Sequence, residues 1–229
     1  DLSSNNFLKD LTVKDLLTMS VGHKTEPLRS VIVMQPDWIR GFLKTPIEYT
    51  PGTKFLYNTL ATYMLSAIVQ KTTGQSLINY LEPRLFKPLG IRGVDWEYDS
   101  KGINTGGWGI RVKTEDMAKL GLTYLNGGKY NGKQIISPRT AELMLSPQLD
   151  FKYDGLNDFG LGFAITSDKA SNLEARNKGS FSWGGYYGTN YWADPKEKLI
   201  CLIMTQHTPN SHAGFQAKIE NIIYGSLVK

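Results

Sequence analysis

Two stretches of this 229-residue chain carry groups whose type and placement could do chemistry. The first is Trp183-Gly184-Gly185, set in the aromatic run from Gly179 to Pro195. Aromatic and β-branched residues flank the glycines, so the run reads as strand, and Asp194-Pro195 ends it as a turn. Paired glycines weaken a strand but open its backbone to close approach, so its N–H groups could receive an oxyanion or a ligand carbonyl. Taken alone, such a pair reads as a bulge or a hairpin turn. The second is Tyr57, at the entrance of a helix, where a phenol can face a cleft. With an ordinary pKa of ~10 it needs a nearby cation to move protons at neutral pH. Taken alone, Tyr57 reads as a core tyrosine with its hydroxyl satisfied by a neighbour.

The other chemically capable residues point nowhere in particular. His23, His207 and His212 have no ligand spacing with cysteine or carboxylates, so neither a metal nor a cofactor is implied. His23 reads as a structural or surface residue beside a helix end. His207 and His212 fall past the last strand, where solvent exposure is expected. Cys201 sits in the apolar run Leu199–Met204, the setting of a buried, inert thiol.

Composition bounds the class. With 41% hydrophobic and 21% charged residues, the chain can bury a full core. The net charge of +5 is modest and its Lys and Arg are scattered, which argues against nucleic acid as a partner. No window approaches the length of apolar chain needed to span a membrane. The opening Asp1-Leu2-Ser3 lacks an initiator Met and a signal peptide, and reads as following a removed segment.

Helices dominate the first part. Thr12 caps a short helix with Asp15 at its third position. Pro36-Asp37 starts another that carries Trp38, Ile39, Phe42 and Leu43 on one stripe. Asn58 or Thr59 caps a helix that runs to Thr73 and closes at Gly74. That helix is apolar over most of its surface and belongs in the middle of a core. Residues 76–91 continue as helix and turn, 92–107 as loop, and Gly106-Gly107-Trp108-Gly109 as a flexible aromatic loop. Thr114 caps a helix that stops at Gly127-Gly128, and its Glu115-Asp116 pair serves the helix dipole. Tyr130–Lys133 forms a tight turn, and Ser137-Pro138 opens a further helix.

The character changes after about residue 149. Phe159–Thr166 alternates and reads as one strand, followed by the Gly-Gly strand and the run 198–206, joined by short turns that imply antiparallel pairing. The tail from Ala213 to Val228 has helical spacing and covers one face of the sheet. The expected fold is therefore α+β: a mainly helical region (1–148), then an antiparallel sheet with a covering C-terminal helix (149–229).

The chain resembles the serine β-lactamase, penicillin-binding-protein and carboxylesterase superfamily, on the branch near class C β-lactamases. The matching stretches are Leu11–Met19, Pro51–Asn58, Gly106–Gly109, Asp116–Gly121 with Leu125–Gly128, and Trp183–Gly185, in the family's order. The resemblance implies acyl transfer through an acyl-serine, with water completing hydrolysis of an ester or amide substrate. It implies a proton-moving role for Tyr57, from a Tyr-x-Asn motif. Here that motif reads Tyr57-Asn58-Thr59, with Asn one place early and Thr59 at the family's Asn position. It also implies that Trp183, Gly184 and Gly185 form the third motif, with Tyr186 giving an oxyanion N–H.

The family's nucleophilic Ser-x-x-Lys is expected ahead of Leu11 and is not found there. The only such spacing, Ser226–Lys229, lies at the far end of the chain, where ends fray. The expectation is the later portion of a larger hydrolase, inactive alone. Its expected partners are a small acyl substrate and either the missing N-terminal segment or a second copy meeting an open sheet edge. A non-catalytic ligand-binding module of the same fold is the alternative. The family resemblance implies a periplasmic or extracellular location.

Overall fold

A computed structural model describes residues 5, 7–208 and 213–227. The chain divides into two compact units, Asp1–Val112 and Lys113–Lys229. The fold class is the expected mixture of helices and antiparallel sheet. The division falls ahead of the compositional change at 149, because two helices between those points pack on the sheet.

The first unit holds α1 (Val13–Leu17), α2 (Leu28–Met34), α3 (Trp38–Lys44), α4 (Thr59–Thr73), α5 (Leu77–Leu81), α6 (Lys87–Leu89) and a hairpin of β1 (Asp95–Trp96) with β2 (Ile110–Arg111). A π-helical turn, Glu82–Phe86, joins α5 to α6. The capped helices start where the sequence places them. Thr12 and Asp15 close a capping box on α1, Asp37 caps α3, and Asn58 caps α4, which ends at Gly74 in the left-handed region (φ 71°). α2 was not anticipated. It has no side-chain cap, and Val33 and Met34 at its end are exposed, so neither a start signal nor a clean stripe marks it.

α4 is the centre of this unit. Leu60, Ala61, Tyr63, Met64 and Ala67 are buried with Leu16, Val21, Val31, Phe42, Ile47 and Ile103. Each large apolar side chain so buried contributes roughly 1.5–3 kcal/mol. Tyr63 keeps its hydroxyl satisfied by donating to Asp99 Oδ2 (2.7 Å). The Gly106–Gly109 loop is pressed onto the first turn of α4. A Cβ on Gly107 would lie 2.7 Å from Thr59 O, and Trp108 packs against Trp38.

The second unit is a five-stranded antiparallel sheet in sequential order with helices on it. Its strands are β5 (Asp158–Phe159), β6 (Ala164–Ile165), β7 (Phe181–Gly184), β8 (Asn190–Asp194) and β9 (Leu199–Ile203). A separate hairpin joins β3 (Lys129–Tyr130) to β4 (Lys133–Gln134). The helices are α7 (Thr114–Leu125), α8 (Pro138–Met144), the short α9 (Asp168–Ser171) and α10 (Ala213–Gly225). On one sheet face Phe181, Tyr191 and Ala193 pack with Tyr124 of α7 and Ala141 of α8. Gly121 is glycine for a reason: a Cβ there would lie 2.6 Å from the Tyr191 hydroxyl, so only glycine lets α7 approach. α10 is tied to the end of β8, where the Tyr224 hydroxyl donates to Asp194 Oδ2 (2.8 Å).

Four local expectations need correction. The span 92–107 is not all loop, since it holds β1. Phe159–Thr166 is not one strand but a hairpin of β5 and β6, turned by Gly160 N donating to Phe163 O (2.8 Å). Thr114 is the first helical residue of α7, whose cap is Lys113 without a side-chain bond. Cys201 is half-buried rather than buried. Its thiol is still pushed up to about 11, chiefly by desolvation, and so stays protonated.

Candidate active site

The segment that presents Tyr57 is held by backbone bonds to a sharp loop after α1. Glu48 N and Tyr49 N both donate to Gly22 O, Gly52 N donates to Ser20 O (2.8 Å) and Leu56 N to Met19 O (2.9 Å). The loop's shape is forced. Gly22 has φ 93°, and a Cβ there would fall on the Tyr49 carbonyl oxygen. Met19 takes the left-handed region (φ 54°), costing about 1 kcal/mol. Its carbonyl is thereby aimed at Leu56.

Asn58 then locks the end of the segment. Its Oδ1 accepts from Ala61 N (3.1 Å) as the α4 cap, and its Nδ2 lies 2.9 Å from His23 Nδ1. An amide nitrogen only donates, so His23 Nδ1 accepts and its ring proton sits on Nε2. That Nε2 is buried without a partner. Burial alone drives the His23 pKa down to about 4, so the ring is neutral across the physiological range. Beside it, Glu26 reaches the start of α4. Its Oε1 accepts from Thr59 N (3.0 Å) and its Oε2 from Leu28 N (2.8 Å), a carboxylate at the positive end of a helix dipole.

The three residues of the second motif thus differ in circumstance. Tyr57 is 44% exposed, whereas Asn58 and Thr59 are buried, with the Asn58 side chain engaged in the fold on both its atoms. His23 and Glu26 complete this network, and sequence reading assigned them no role in it. Asn58→Ala is expected to lower unfolding free energy by about 2 kcal/mol, from the lost cap and the stranded His23 Nδ1. Urea denaturation measures it, and a change below about 0.5 kcal/mol would contradict the network.

In the second unit, Trp183 and Gly184 end β7, paired with Tyr191 and Asn190 of β8. Gly185 N donates to Thr189 O (2.8 Å) and Gly188 N to Gly185 O (3.0 Å), closing a hairpin turn. A Cβ on Gly185 would meet the Thr189 hydroxyl, which would have to swing aside. The Gly185–Thr189 bond fixes the parity of the ladder. Phe181 and Trp183 bond toward β8, while Ser182 and Gly184 turn their N–H and C=O toward β6. Ser182 meets Ala164 there, but β6 ends at Ala164, where the chain turns away at Gly160–Phe163. No strand among the described residues pairs with Gly184 on that side. Its backbone groups face an open edge, and Trp183 packs edge-on against Phe159 beside it (5.3 Å).

Tyr186, 75% exposed, occupies the corner of the turn, and its N–H takes part in neither closing bond. Tyr187 O anchors the turn from the other side, accepting from His207 N (3.1 Å) and from the Thr205 hydroxyl. His207 is exposed, as expected, and its backbone braces this turn. His212 and the last residues of Ser226–Lys229 lie outside the described residues. Among the described residues no group of three or more His, Cys, Asp or Glu could hold a metal ion, and no helix is long and apolar enough to cross a membrane.

The family profile described as Beta-lactamase matches residues 5–222. The chain belongs to the beta-lactamase family. Its relatives include a putative D-alanyl-D-alanine carboxypeptidase of Escherichia coli O157:H7, 24% identical, with 78% of this chain aligned to 51% of that protein. An N-acetylmuramyl-L-alanine amidase of Bacillus subtilis (strain 168) is 23% identical over 72% of this chain and 48% of its own length. The chain spans about half the length of these curated relatives. Among solved structures, EstCE1, a hydrolase with promiscuous acyltransferase activity, superposes with a TM-score of 0.78 at 18% identity, over 94% of this chain and 72% of its own. A penicillin binding protein from Bacillus halodurans gives a TM-score of 0.71 at 17% identity, over 95% and 76%. At such identities these structures speak to the fold, which is that of the family.

Proposed function

We propose that this chain is the later portion of a beta-lactamase-like serine hydrolase that cleaves ester or amide substrates through an acyl-serine. The observation that supports this most is the open edge at Gly184. A strand end with outward backbone groups and a turn N–H at Tyr186 is what a carbonyl oxygen needs as it becomes an oxyanion. In this reading a serine hydroxyl supplied by a Ser-x-x-Lys segment attacks the acyl carbon, and Tyr57, held as its phenolate by the lysine cation, takes the serine proton. The tetrahedral intermediate collapses, the alcohol or amine leaves with that proton, and water then releases the acid. Trp183, where related hydrolases can carry a lysine, removes a cation from the third motif and favours neutral esters and amides over substrates with a carboxylate. Asn58 and Thr59 serve by fixing the helix start behind Tyr57.

This chain alone is expected not to turn over. Purified alone, it should give no saturable hydrolysis of p-nitrophenyl acetate or a chromogenic cephalosporin and no serine acylation by mass spectrometry. Joined to a Ser-x-x-Lys segment it should hydrolyse the ester faster than the cephalosporin. Saturable turnover with acylation by the chain alone would overturn the dependence on that segment. No acylation of the joined polypeptide would favour the ligand-binding module.

A further inference from the structure

The sheet of the second unit has a polar hollow on the face opposite α7. About 490 Å³ of space is lined by β7 and β8 at Ser182 and Asn190, by the 173–176 segment, and by α10 at Glu220 and Asn221. Its volume is that of a small-molecule site. Arg176 lines it, but its fork is already engaged. Nη1 donates to Ser182 Oγ (2.8 Å) and Nη2 to Glu174 Oε2 (3.1 Å). The remaining Nε lies 3.4 Å from Glu220 Oε2 yet outside hydrogen-bonding geometry, and is a buried donor without an acceptor.

Glu220 is consequently short of positive charge. It is 9% exposed, and the misaligned Arg176 Nε is its ion-pair contact. Burial raises its pKa, Glu174 raises it further, and Arg176 only partly opposes them. Glu174 and Glu220 against Arg176 leave the lining with one negative charge in excess. A buried carboxylate in that position is costly until a donor cation reaches it. The side-chain oxygens of Asn190 and Asn221 are further acceptors on the wall.

We propose that this hollow binds a small primary ammonium compound, a diamine or an amino-acid amide, with its –NH₃⁺ on Glu220 and its remaining donors on the wall amides. An ammonium presents three donors and no acceptor, which matches the buried Glu220 carboxylate and the amide oxygens beside it. An anion would meet a guanidinium already bonded to Glu174 and Ser182. Trp183 and Gly184 also line the hollow, but binding there needs neither Tyr57 nor turnover, so its failure and that of the acyl-transfer reading are separable.

The test is a calorimetric or NMR titration of the full chain at pH 7 and low salt with 1,5-diaminopentane, 1,5-pentanediol and glutarate. Saturable one-to-one binding of the diamine is expected, at least ~10-fold weaker binding of the diol, and none of glutarate. Glu220→Gln should weaken the diamine ~10-fold or more with an unchanged circular dichroism spectrum, and Asp168→Asn, outside the hollow, should not. Should Glu220→Gln fail to fold, Asn221→Ala carries the test with a several-fold loss. Equal binding of diamine and diol, indifference to these variants, or no saturation by about 10 mM would overturn the proposal.

Discussion

Tyr57→Phe is expected to lower kcat by ~10²–10⁴ in a polypeptide that joins this chain to a Ser-x-x-Lys segment, the span ascribed to a positioned proton-transfer group. KM should change little, because the ring stays and only the hydroxyl goes. The fold should persist. Tyr57 is 44% exposed, and its segment is held by Leu56 N on Met19 O and by the Asn58 cap, neither of which involves the phenol. Loss of one hydroxyl from a partly exposed side chain should shift stability by about 1 kcal/mol or less. Steady-state kinetics on a p-nitrophenyl ester, alongside thermal unfolding, reads both numbers. A kcat within threefold of the parent would remove Tyr57 from the chemistry.

The second large effect is on stability in mild acid. The His23 pKa falls from 6.5 to about 4 on folding because its ring is buried. As pH drops below 6.5 the unfolded chain takes up a proton that the folded chain refuses, so the folded state loses ground. The stability is fully present above about 6.5 and is lost as pH falls toward 4. At 1.36 kcal/mol per unit, roughly 3 kcal/mol disappears across that window. Asp37 and Asp194 are held below their usual range by Lys101 and Asn177 respectively, against opposing desolvation, so their contributions fade only at lower pH. Glu220, raised by burial, titrates toward the same interval with the opposite sign, so the imidazole is read from the difference between parent and His23→Gln in urea unfolding at pH 7.5, 5.5 and 4.5. The parent should lose more stability than His23→Gln over that interval, and equal losses would refute the burial argument.

How much of this was readable beforehand depends on the range of the interaction involved. α4 was legible from both ends, since Asn58 and Gly74 are local signals and the apolar surface between them admits only a central position. The third motif was legible as a strand ending in paired glycines, where Gly185 closes a hairpin and Gly184 faces outward. His23 was not legible as a partner of Asn58, because no local signal spans the 35 positions that separate them. Glu26 was missed for the same reason. The β5–β6 hairpin was read as one strand because alternation survives across its turn, although Gly160 and Gly162 were the available sign of a break. α2 left no cap and no clean stripe to read.

The ladder parity of β7 makes the number of residues there as consequential as their kind. Inserting one residue between Ser182 and Gly184 would rotate the outward N–H and C=O of Gly184 into the seam with β8 and expose a different peptide at the margin. Inserting two would restore the direction but move the turn about one pleat further along. Extra residues in this hairpin should therefore be tolerated only beyond Gly185, where Tyr186 and Tyr187 stand in solvent and the backbone no longer keeps count.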